Sequence, residues 1–139
     1  MSQPSQPILL CPGQGAQAVG MGQAWHSHSD AAKQIFAQAN DLLGLDITAL
    51  CFEGPAEDLN KTDVAQAAIY TTSIACYHAL LESDVDVTPH ATAGLSLGEF
   101  TALHLAGAFN FADGLKLVRL RGQAMQDAAD ASEGTMVAI

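Results

Sequence analysis

The sequence is poor in positive charge. Its 139 residues include five Lys plus Arg against fifteen Asp plus Glu, a formal net charge of −10. Binding to nucleic acid or to an anionic membrane surface needs clustered cations, so neither is expected as a partner. No apolar run approaches the roughly 18 residues of a membrane span, and the polar start lacks a secretory signal. With 49% apolar and 14% charged residues, the chain is predicted to bury a core as one compact domain.

Cysteine is scarce, and metal-binding patterns are lacking. Cys11, Cys51 and Cys76 are widely spaced and form no CxxC pair, which predicts reduced, mostly buried thiols and a cytoplasmic location. His26 and His28 have no third ligand in register, so no metal site is expected.

Short apolar runs alternate with segments of helical period along the chain. Strands are predicted at 8–11, 91–95 and 135–139, and helices over about 30–43, 62–81, 97–106 and 111–129. Thr62 and Asp63 are expected to cap the second of these helices, and Asp113 to open the last. The order predicts an α/β fold with a parallel sheet and flanking helices. Three strands make a thin sheet, which needs further strands.

The stretch Gly94-Leu-Ser-Leu-Gly98 matches the G-x-S-x-G nucleophile elbow, with a predicted strand before it and a predicted helix after it. Such a sharp turn exposes the hydroxyl of Ser96, while the helix N-terminus offers free N–H groups to a developing oxyanion. The same residues also form an S-x-x-E capping box, in which Ser96 would only cap the helix and Glu99 would reach back. Both interpretations remain open from the sequence form.

A glycine-rich loop over 12–22 follows the first strand and should lie at the carboxyl edge of the sheet. Its exposed backbone amides could supply a second oxyanion donor, or the loop could be a turn without chemistry. Gly13, Gly15 and Ala18 also fit the loose dinucleotide-binding fingerprint. That fingerprint needs a second strand with an acidic residue about 20 positions later, whereas 30–43 has helical period.

Arg121 has an unusual place on a helical wheel of the last helix. An apolar arc contains Leu117, Val118, Leu120, Ala124 and Met125, and Arg121 falls inside it. Arg119 lies on the opposite face and is expected to be an ordinary solvated cation. A cation drawn inward needs a partner. The wheel is compatible with three partners for Arg121: a buried Asp or Glu, a substrate carboxylate, or solvent reached by snorkelling.

No histidine is clearly placed to act as the base that a serine nucleophile needs. His104 lies two helical turns beyond Ser96, about 12 Å along the axis, and is too far away. His90 precedes the second strand and should lie at its far end. His26 and His28 follow the glycine-rich loop and are conceivable bases, although each is equally consistent with a surface or packed histidine.

Taken together, the chain resembles the malonyl-CoA:acyl-carrier-protein transacylase family, acyltransferases that load malonyl units for fatty-acid and polyketide synthesis. Five stretches carry the resemblance along 8–139: Pro12-Gly-Gln-Gly-Ala-Gln17 with Gly20-Met-Gly22, Gly54-Pro-Ala-Glu-Asp-Leu-Asn60, Gln66-Ala, Gly94-Leu-Ser-Leu-Gly-Glu-Phe100, and Arg119-Leu-Arg-Gly-Gln-Ala-Met-Gln126.

The resemblance implies a role for each matching residue. Ser96 would take up the malonyl group as an ester, and the backbone amides of Gln14 and Leu97 would form the oxyanion hole. Arg121 would bind the free carboxylate of malonyl, and Gln66 would line the pocket. Malonyl-CoA would be the substrate and acyl carrier protein the partner, with no bound cofactor.

The resemblance also implies what this chain lacks. Leu95 stands where the family often has a histidine, which we interpret as a local change in packing. The catalytic histidine and its partner would lie downstream, and a small inserted subdomain would begin near 135. We therefore expect 1–139 to be the N-terminal part of an acyltransferase catalytic domain, essentially inactive alone. The alternatives are a serine esterase of the α/β-hydrolase class and a non-catalytic fragment.

Overall fold

The computed structural model describes residues 7–83, 85 and 87–131, which alternate between strands and groups of helices. The elements are β1 (Ile8–Cys11), α1 (Gln23–His28), α2 (Asp30–Leu43), α3 (Ile47–Glu53), α4 (Ala56–Leu59), α5 (Thr62–Leu81), β2 (Ala91–Gly94), α6 (Leu97–Leu105) and α7 (Phe111–Ala131). The first two predicted strands and the four predicted helices are confirmed. The third predicted strand, 135–139, and the expected start of a subdomain near 135 lie outside the described residues.

The strands β1 and β2 pair in parallel, with Ile8 opposite Ala91 and Cys11 opposite Gly94. A parallel pair needs a long crossover connection, which here contains α1 to α5. Since both strands end at the same register position, the glycine-rich loop and the turn at Ser96 leave the sheet at one edge. This shared edge is where α/β folds form their sites.

Helix α5 is the centre of the core. Its buried residues lie on every side of the helix, in the run from Val64 to Thr71 and at Ile74, Ala75 and Ala79. It packs against α2, α6 and α7, while α6 covers the strands. A helix that is apolar all round is expected in such an enclosed position.

The helix ends differ in detail from those predicted. Helix α5 has Lys61 at its N-cap, with no side-chain cap, so the predicted cap at Thr62 and Asp63 is wrong. The side chain of Asp63 is instead bound by Arg119. At the start of α7, the Asn110 side chain accepts a hydrogen bond from the Asp113 amide at 2.8 Å. Asn110 thus provides the cap directly before Phe111, the predicted first residue, and Asp113 lies in the first turn of the helix.

The buried face of α7 is displaced from the apolar arc of the helical wheel. Leu117 and Leu120 are exposed, whereas Gly114 and Gly122 are buried. A Cβ added to Gly122 would lie 2.8 Å from the Asp63 Cα, so this glycine allows α7 to approach α5 closely. The wheel was centred wrongly because it counted leucines and ignored the glycines that mark the contact.

An apolar cavity of about 420 Å³ lies between β1, α1 and α5. Leu9, Cys11, Trp25, Cys76 and Tyr77 contribute to its wall. On the strands themselves, the side chains of Ile8 and Leu10 are exposed. Among the described residues, no helix combines the length and apolarity needed to cross a membrane.

Candidate active site

Ser96 lies in a strained turn between β2 and α6. Its φ of 56° and ψ of −111° make it the only non-glycine residue with positive φ among those described. Strain of this kind costs about 1–3 kcal/mol and persists where the surroundings enforce it. Ser96 is exposed and makes no side-chain capping bond to α6. The capping-box interpretation is therefore wrong, and the projecting hydroxyl predicted for an elbow is confirmed.

Glycines bring the elbow and the first strand together. A Cβ on Gly94 would lie 2.1 Å from the carbonyl of Gly98, and one on Gly98 would lie 2.2 Å from the Cys11 carbonyl oxygen. A Cβ on Gly13 would lie 2.8 Å from the Leu95 oxygen. Side chains at these positions would collide with backbone. Their absence lets the glycine-rich loop lie directly against the elbow.

Two backbone amides at this junction have no hydrogen-bond partner in the described residues. Leu97 is the first residue of α6, whose N-terminal N–H groups have no acceptor within the helix. Gln14 lies in the adjoining loop, next to Gly13. Neither the Gln14 nor the Leu97 N–H donates a hydrogen bond within the described part of the chain. Both amides are therefore available to an oxygen placed at the elbow.

Arg121 reaches from α7 to the elbow. Its Nη2 donates to the Ser96 Oγ at 2.9 Å, and its Nη1 donates to the Gln66 Oε1 at 2.7 Å. The Phe100 ring lies beneath the guanidinium, with its centroid 5.7 Å from the Arg121 Cζ. The structure thus brings together three side chains singled out in the sequence motifs.

The partners of Arg121 set it apart from the other cations. Lys33, Lys61, Lys116 and Arg119 each have a carboxylate within 4.0 Å. Arg121 has none within the described residues, so the predicted alternative of a structural salt bridge finds no support there. Within the part of the chain that the structure describes, this half-buried guanidinium contacts two neutral groups and an aromatic face. Its charge is left for an external anion.

The structure also contradicts the prediction made for Arg119. It was expected to be solvated, yet its Nη1 lies 2.9 Å from Asp63 Oδ2, and the two side chains are 36% and 18% exposed. The same nitrogen also donates to the Asp63 carbonyl oxygen at 3.2 Å. Close packing of α7 on α5 brings this face into contact, which the helical wheel could not show.

Gln66 is fully buried on α5 and links α5 to the site. Its Oε1 accepts from Arg121, and its Nε2 lies 3.2 Å from the Met125 Sδ. Sulfur is a weak acceptor, so the amide has spare donor capacity at the pocket. The sequence prediction that Gln66 lies at the site is consistent with this position.

None of the histidines contacts Ser96 in the described residues. His26 packs against the rings of Phe36 and Phe52. His104 has its Nδ1 3.0 Å from the Phe109 carbonyl oxygen, and burial lowers its pKa below the ordinary value. The amide of His90 donates to Pro7, at the opposite end of the strands from the elbow. The site as described has a hydroxyl, a cation and amides, but no base.

The three thiols are free and are not suited to act as nucleophiles. Burial raises the pKa of Cys51 to about 11, and it also raises the pKa of Cys11 and of Cys76. Thiols with raised pKa values stay protonated near neutral pH and are inert. Ser96 is therefore the nucleophile candidate at this edge of the sheet.

A strained serine elbow, a glycine-rich loop against it and an arginine on the serine hydroxyl define an acyltransferase type of site. The family model for the acyl transferase domain matches residues 8–139, and the chain belongs to this family.

The relatives are more specific. The malonyl CoA-acyl carrier protein transacylase of Bacillus subtilis strain 168 is 46% identical over 135 residues, which are 97% of this chain and 42% of that protein. An acyl carrier protein S-malonyltransferase from Vibrio cholerae matches with a TM-score of 0.84 and 43% identity, covering 89% of this chain and 40% of that one. The chain therefore spans less than half the length of these relatives.

A second solved structure shows a malonyl-transacylase in complex with its type II PKS acyl-carrier protein. It matches with a TM-score of 0.83 and 40% identity, over 89% of this chain and 40% of that one. These structures share the fold of the described residues, including the parallel strands and their flanking helices. The predicted α/β class is thereby confirmed.

Proposed function

We propose that this chain carries the acyl-binding half of a malonyltransferase site, which moves malonyl from malonyl-CoA to the phosphopantetheine thiol of acyl carrier protein. The observation that carries the proposal is the position of Arg121. This arginine, which has no carboxylate partner among the described residues, donates to the hydroxyl of a strained serine. The names of the relatives support the same substrate and partner.

In the first half-reaction the Ser96 Oγ attacks the thioester carbonyl of malonyl-CoA. The new bond joins Oγ to the carbonyl carbon, and the carbon–sulfur bond breaks. The serine proton passes through a base to the departing coenzyme A sulfur. The oxyanion of the intermediate would accept hydrogen bonds from the amide of Gln14 and from that of Leu97 at the N-terminus of α6, neither of which donates to another group in the described residues. The second half-reaction reverses these steps with the carrier thiol as the attacking group.

Arg121 would select the acyl group. A guanidinium fork binds a carboxylate through two parallel hydrogen bonds, and the carboxylate would displace Ser96 from the Nη2 of Arg121. The serine hydroxyl is then released to attack. An acetyl group offers no charge, so the cation stays uncompensated. A hydrogen bond to a charged group contributes about 1.5–3 kcal/mol, which corresponds to roughly 10- to 100-fold selectivity for malonyl over acetyl.

The serine-esterase alternative uses the same elbow but has no need of Arg121. A plain esterase pocket would leave this half-buried cation uncompensated, which is costly. The non-catalytic alternative applies to the 139-residue chain by itself, which we expect to turn over negligibly. The free thiols favour a reducing compartment, and we place the reaction in the cytoplasm, in fatty-acid or polyketide synthesis.

The proposal can be tested in the 139-residue chain and in a chimera. In the chimera, this chain replaces the matching segment of the Bacillus subtilis relative. After incubation with malonyl-CoA, peptide mass spectrometry should find the malonyl ester on Ser96 in the chimera, and Ser96→Ala should remove it. Ser27→Ala, an exposed serine on α1, is the matched control. Absence of the ester in the chimera, with the parent relative active, would contradict the proposal.

Selectivity has its own test in the same chimera. Arg121→Ala should lower the malonyl-to-acetyl ratio of ester formation by roughly 10- to 100-fold. Arg119→Ala, two residues away and paired with Asp63, should leave the ratio unchanged. Equal labelling by acetyl-CoA in the unsubstituted chimera would favour the esterase and exclude the role proposed for Arg121.

The 139-residue chain by itself should turn over negligibly, because no base contacts Ser96 in its described part. Loss of the base from a serine triad lowers rates on the order of 10⁴- to 10⁶-fold. Steady-state malonyl transfer by the purified chain at a rate near that of the chimera would contradict this expectation.

A further inference from the structure

Gln17 and Asn60 belong to two of the sequence stretches that mark the chain, yet neither has a part in the acyl chemistry described above. The Gly15 N–H donates to the Gln17 Oε1 at 2.8 Å, and the Gln17 Nε2 donates to the Asn60 Oδ1 at 2.8 Å. These two hydrogen bonds run from the glycine-rich loop to the end of α4. We name them the Gln17–Asn60 relay.

The relay acts on the peptide next to a proposed oxyanion donor. On the C-terminal side of Gln14, the Gly15 N–H donates to the Gln17 side chain. On the N-terminal side of Gln14, Gly13 lies so close to the Leu95 carbonyl that no Cβ fits. Gln14 is therefore held on both sides: by backbone contact with the elbow before it and by the Gln17 side chain after it.

The far end of the relay lies between two helices. Asn60 is the C-cap of α4, and its amide donates to the Ala56 carbonyl at 2.9 Å. Asn60 directly precedes Lys61, the N-cap of the central helix α5. The other backbone bond from the loop to a helix lies further along, where the Gly20 N–H donates to the Cys51 carbonyl at 2.8 Å, so the relay is the contact made at Gly15 itself.

We propose that Gln17 and Asn60 are positioning residues, which hold the Gln14 amide in the orientation needed to bind the oxyanion at Ser96. The proposal rests on the proposed function, since the oxyanion arises in acyl transfer. Oxyanion donors act on the transition state and not on the bound substrate. Loss of the relay should therefore lower the rate of ester formation without changing the affinity for malonyl-CoA or the preference for malonyl over acetyl.

Four substitutions separate positioning from general stability. Asn60→Ala and Gln17→Ala remove the relay, and each should lower kcat for ester formation in the chimera by about three- to tenfold, the value of one or two neutral hydrogen bonds. Asn60→Asp keeps an acceptor for the Gln17 amide and should remain near the unsubstituted rate. Gln34→Ala, an exposed glutamine on α2, is the matched control.

A second measurement does not depend on activity. Amide hydrogen exchange in the 139-residue chain should rise at residues 13–17 in Asn60→Ala and Gln17→Ala, and should stay unchanged in α2 and α5. A purely structural role would raise exchange in the helices and lower the melting temperature as well.

Each outcome decides the matter. Faster local exchange with a lower kcat, an unchanged KM and near-normal Asn60→Asp supports the proposal. Unchanged exchange, unchanged kcat, or an Asn60→Asp variant as slow as Asn60→Ala overturns it while leaving the proposed function intact. If the unsubstituted chimera forms no ester on Ser96, the proposed function fails, and the positioning role fails with it.

Discussion

The core around α5 and the elbow at Ser96 are held together by opposite means. Around α5 the contacts join large buried side chains, such as Tyr70 stacked on Phe111 with their ring centroids 5.6 Å apart. At the elbow the contacts are backbone against backbone, and they exist because Gly94 and Gly98 have no side chain. Neighbouring apolar side chains at the strands, including Ile8 and Leu10, remain exposed.

This difference separates stability from chemistry within one small chain. Packing of large side chains supplies most of the stabilising free energy through burial of apolar surface. Close backbone approach buries little apolar surface, but it fixes the positions of the amides at the elbow and of the Ser96 hydroxyl. Changes in the core should therefore lower stability first, and changes at the elbow should lower activity first.

The largest effect on stability is expected from the core. Tyr70→Ala removes a fully buried ring and should lower the free energy of unfolding by about 3–5 kcal/mol. Urea denaturation followed by circular dichroism measures it. Tyr77→Ala, a half-buried tyrosine on the same helix, is the control and should cost less. An equal loss in both variants would show that the deeper burial of Tyr70 does not determine its contribution to stability.

The next largest effect, a loss of activity, is expected from a substitution at the elbow. Gly98→Ala places a Cβ 2.2 Å from the Cys11 carbonyl oxygen, so the elbow must move away from β1. A displacement of about 1 Å at a reacting group costs about 100-fold in rate, while overpacking costs about 1–3 kcal/mol in stability. Ester formation by the chimera measures the first quantity.

Gly107→Ala is the control for this substitution. Gly107 has a φ of 81° and no atom within 4 Å of an added Cβ, so it should lose stability without losing ester formation. A Gly98→Ala variant with normal ester formation would contradict the role given to close backbone approach.

A smaller effect should follow from the ion pair that joins α7 to α5. Arg119→Met removes the partner of Asp63 and should lower the free energy of unfolding by up to about 1 kcal/mol, less at high salt. Lys116→Met is the control, because its exposed pair with Asp113 has a 3.9 Å separation. If both variants were equally stable, the Arg119–Asp63 contact would contribute nothing to helix packing.

The smallest effect concerns pH. Burial lowers the folded-state pKa of His104 below its ordinary value of 6.5, and the charge of His78 lowers it further, while the hydrogen bond to the Phe109 carbonyl opposes the shift. The unfolded chain then binds the proton more readily than the folded chain. The stability contributed by neutral His104 is therefore complete above about pH 6.5 and declines as the pH falls towards the lower, folded-state pKa.

Asn can place its amide nitrogen where the Nδ1 of His104 lies, so His104→Asn removes the titration and keeps the donor. Between about pH 7.5 and pH 5.5, the unsubstituted chain should lose more unfolding free energy than this variant. Identical pH dependence in the two chains would show that His104 is not held neutral by the core.

Local patterns in the sequence predicted most of the fold and the position of the elbow at Ser96. The alternation of apolar runs with helical period located β1, β2 and the longer helices, since each pattern reflects the geometry of its own element. The elbow was predictable because its strand, serine and helix are adjacent in the chain. Gln17 and Asn60 lie in two of the five stretches, but their pairing was not predictable because 43 residues separate them.

The sequence by itself determined that the chain has an elbow at Ser96, a glycine-rich loop before it and a family resemblance carried by five stretches. Only the tertiary structure decided which groups the two arginines of α7 contact. The wheel placed Arg119 on the solvated face and Arg121 within the apolar arc, with a carboxylate or solvent as its partner. In the structure Arg119 is the one paired with a carboxylate, because Gly114 and Gly122 let α7 pack closely on α5. That contact joins Arg119 to Asp63 and leaves Arg121 on the serine. Partner choice depends on how helices pack, and no local pattern contains that information.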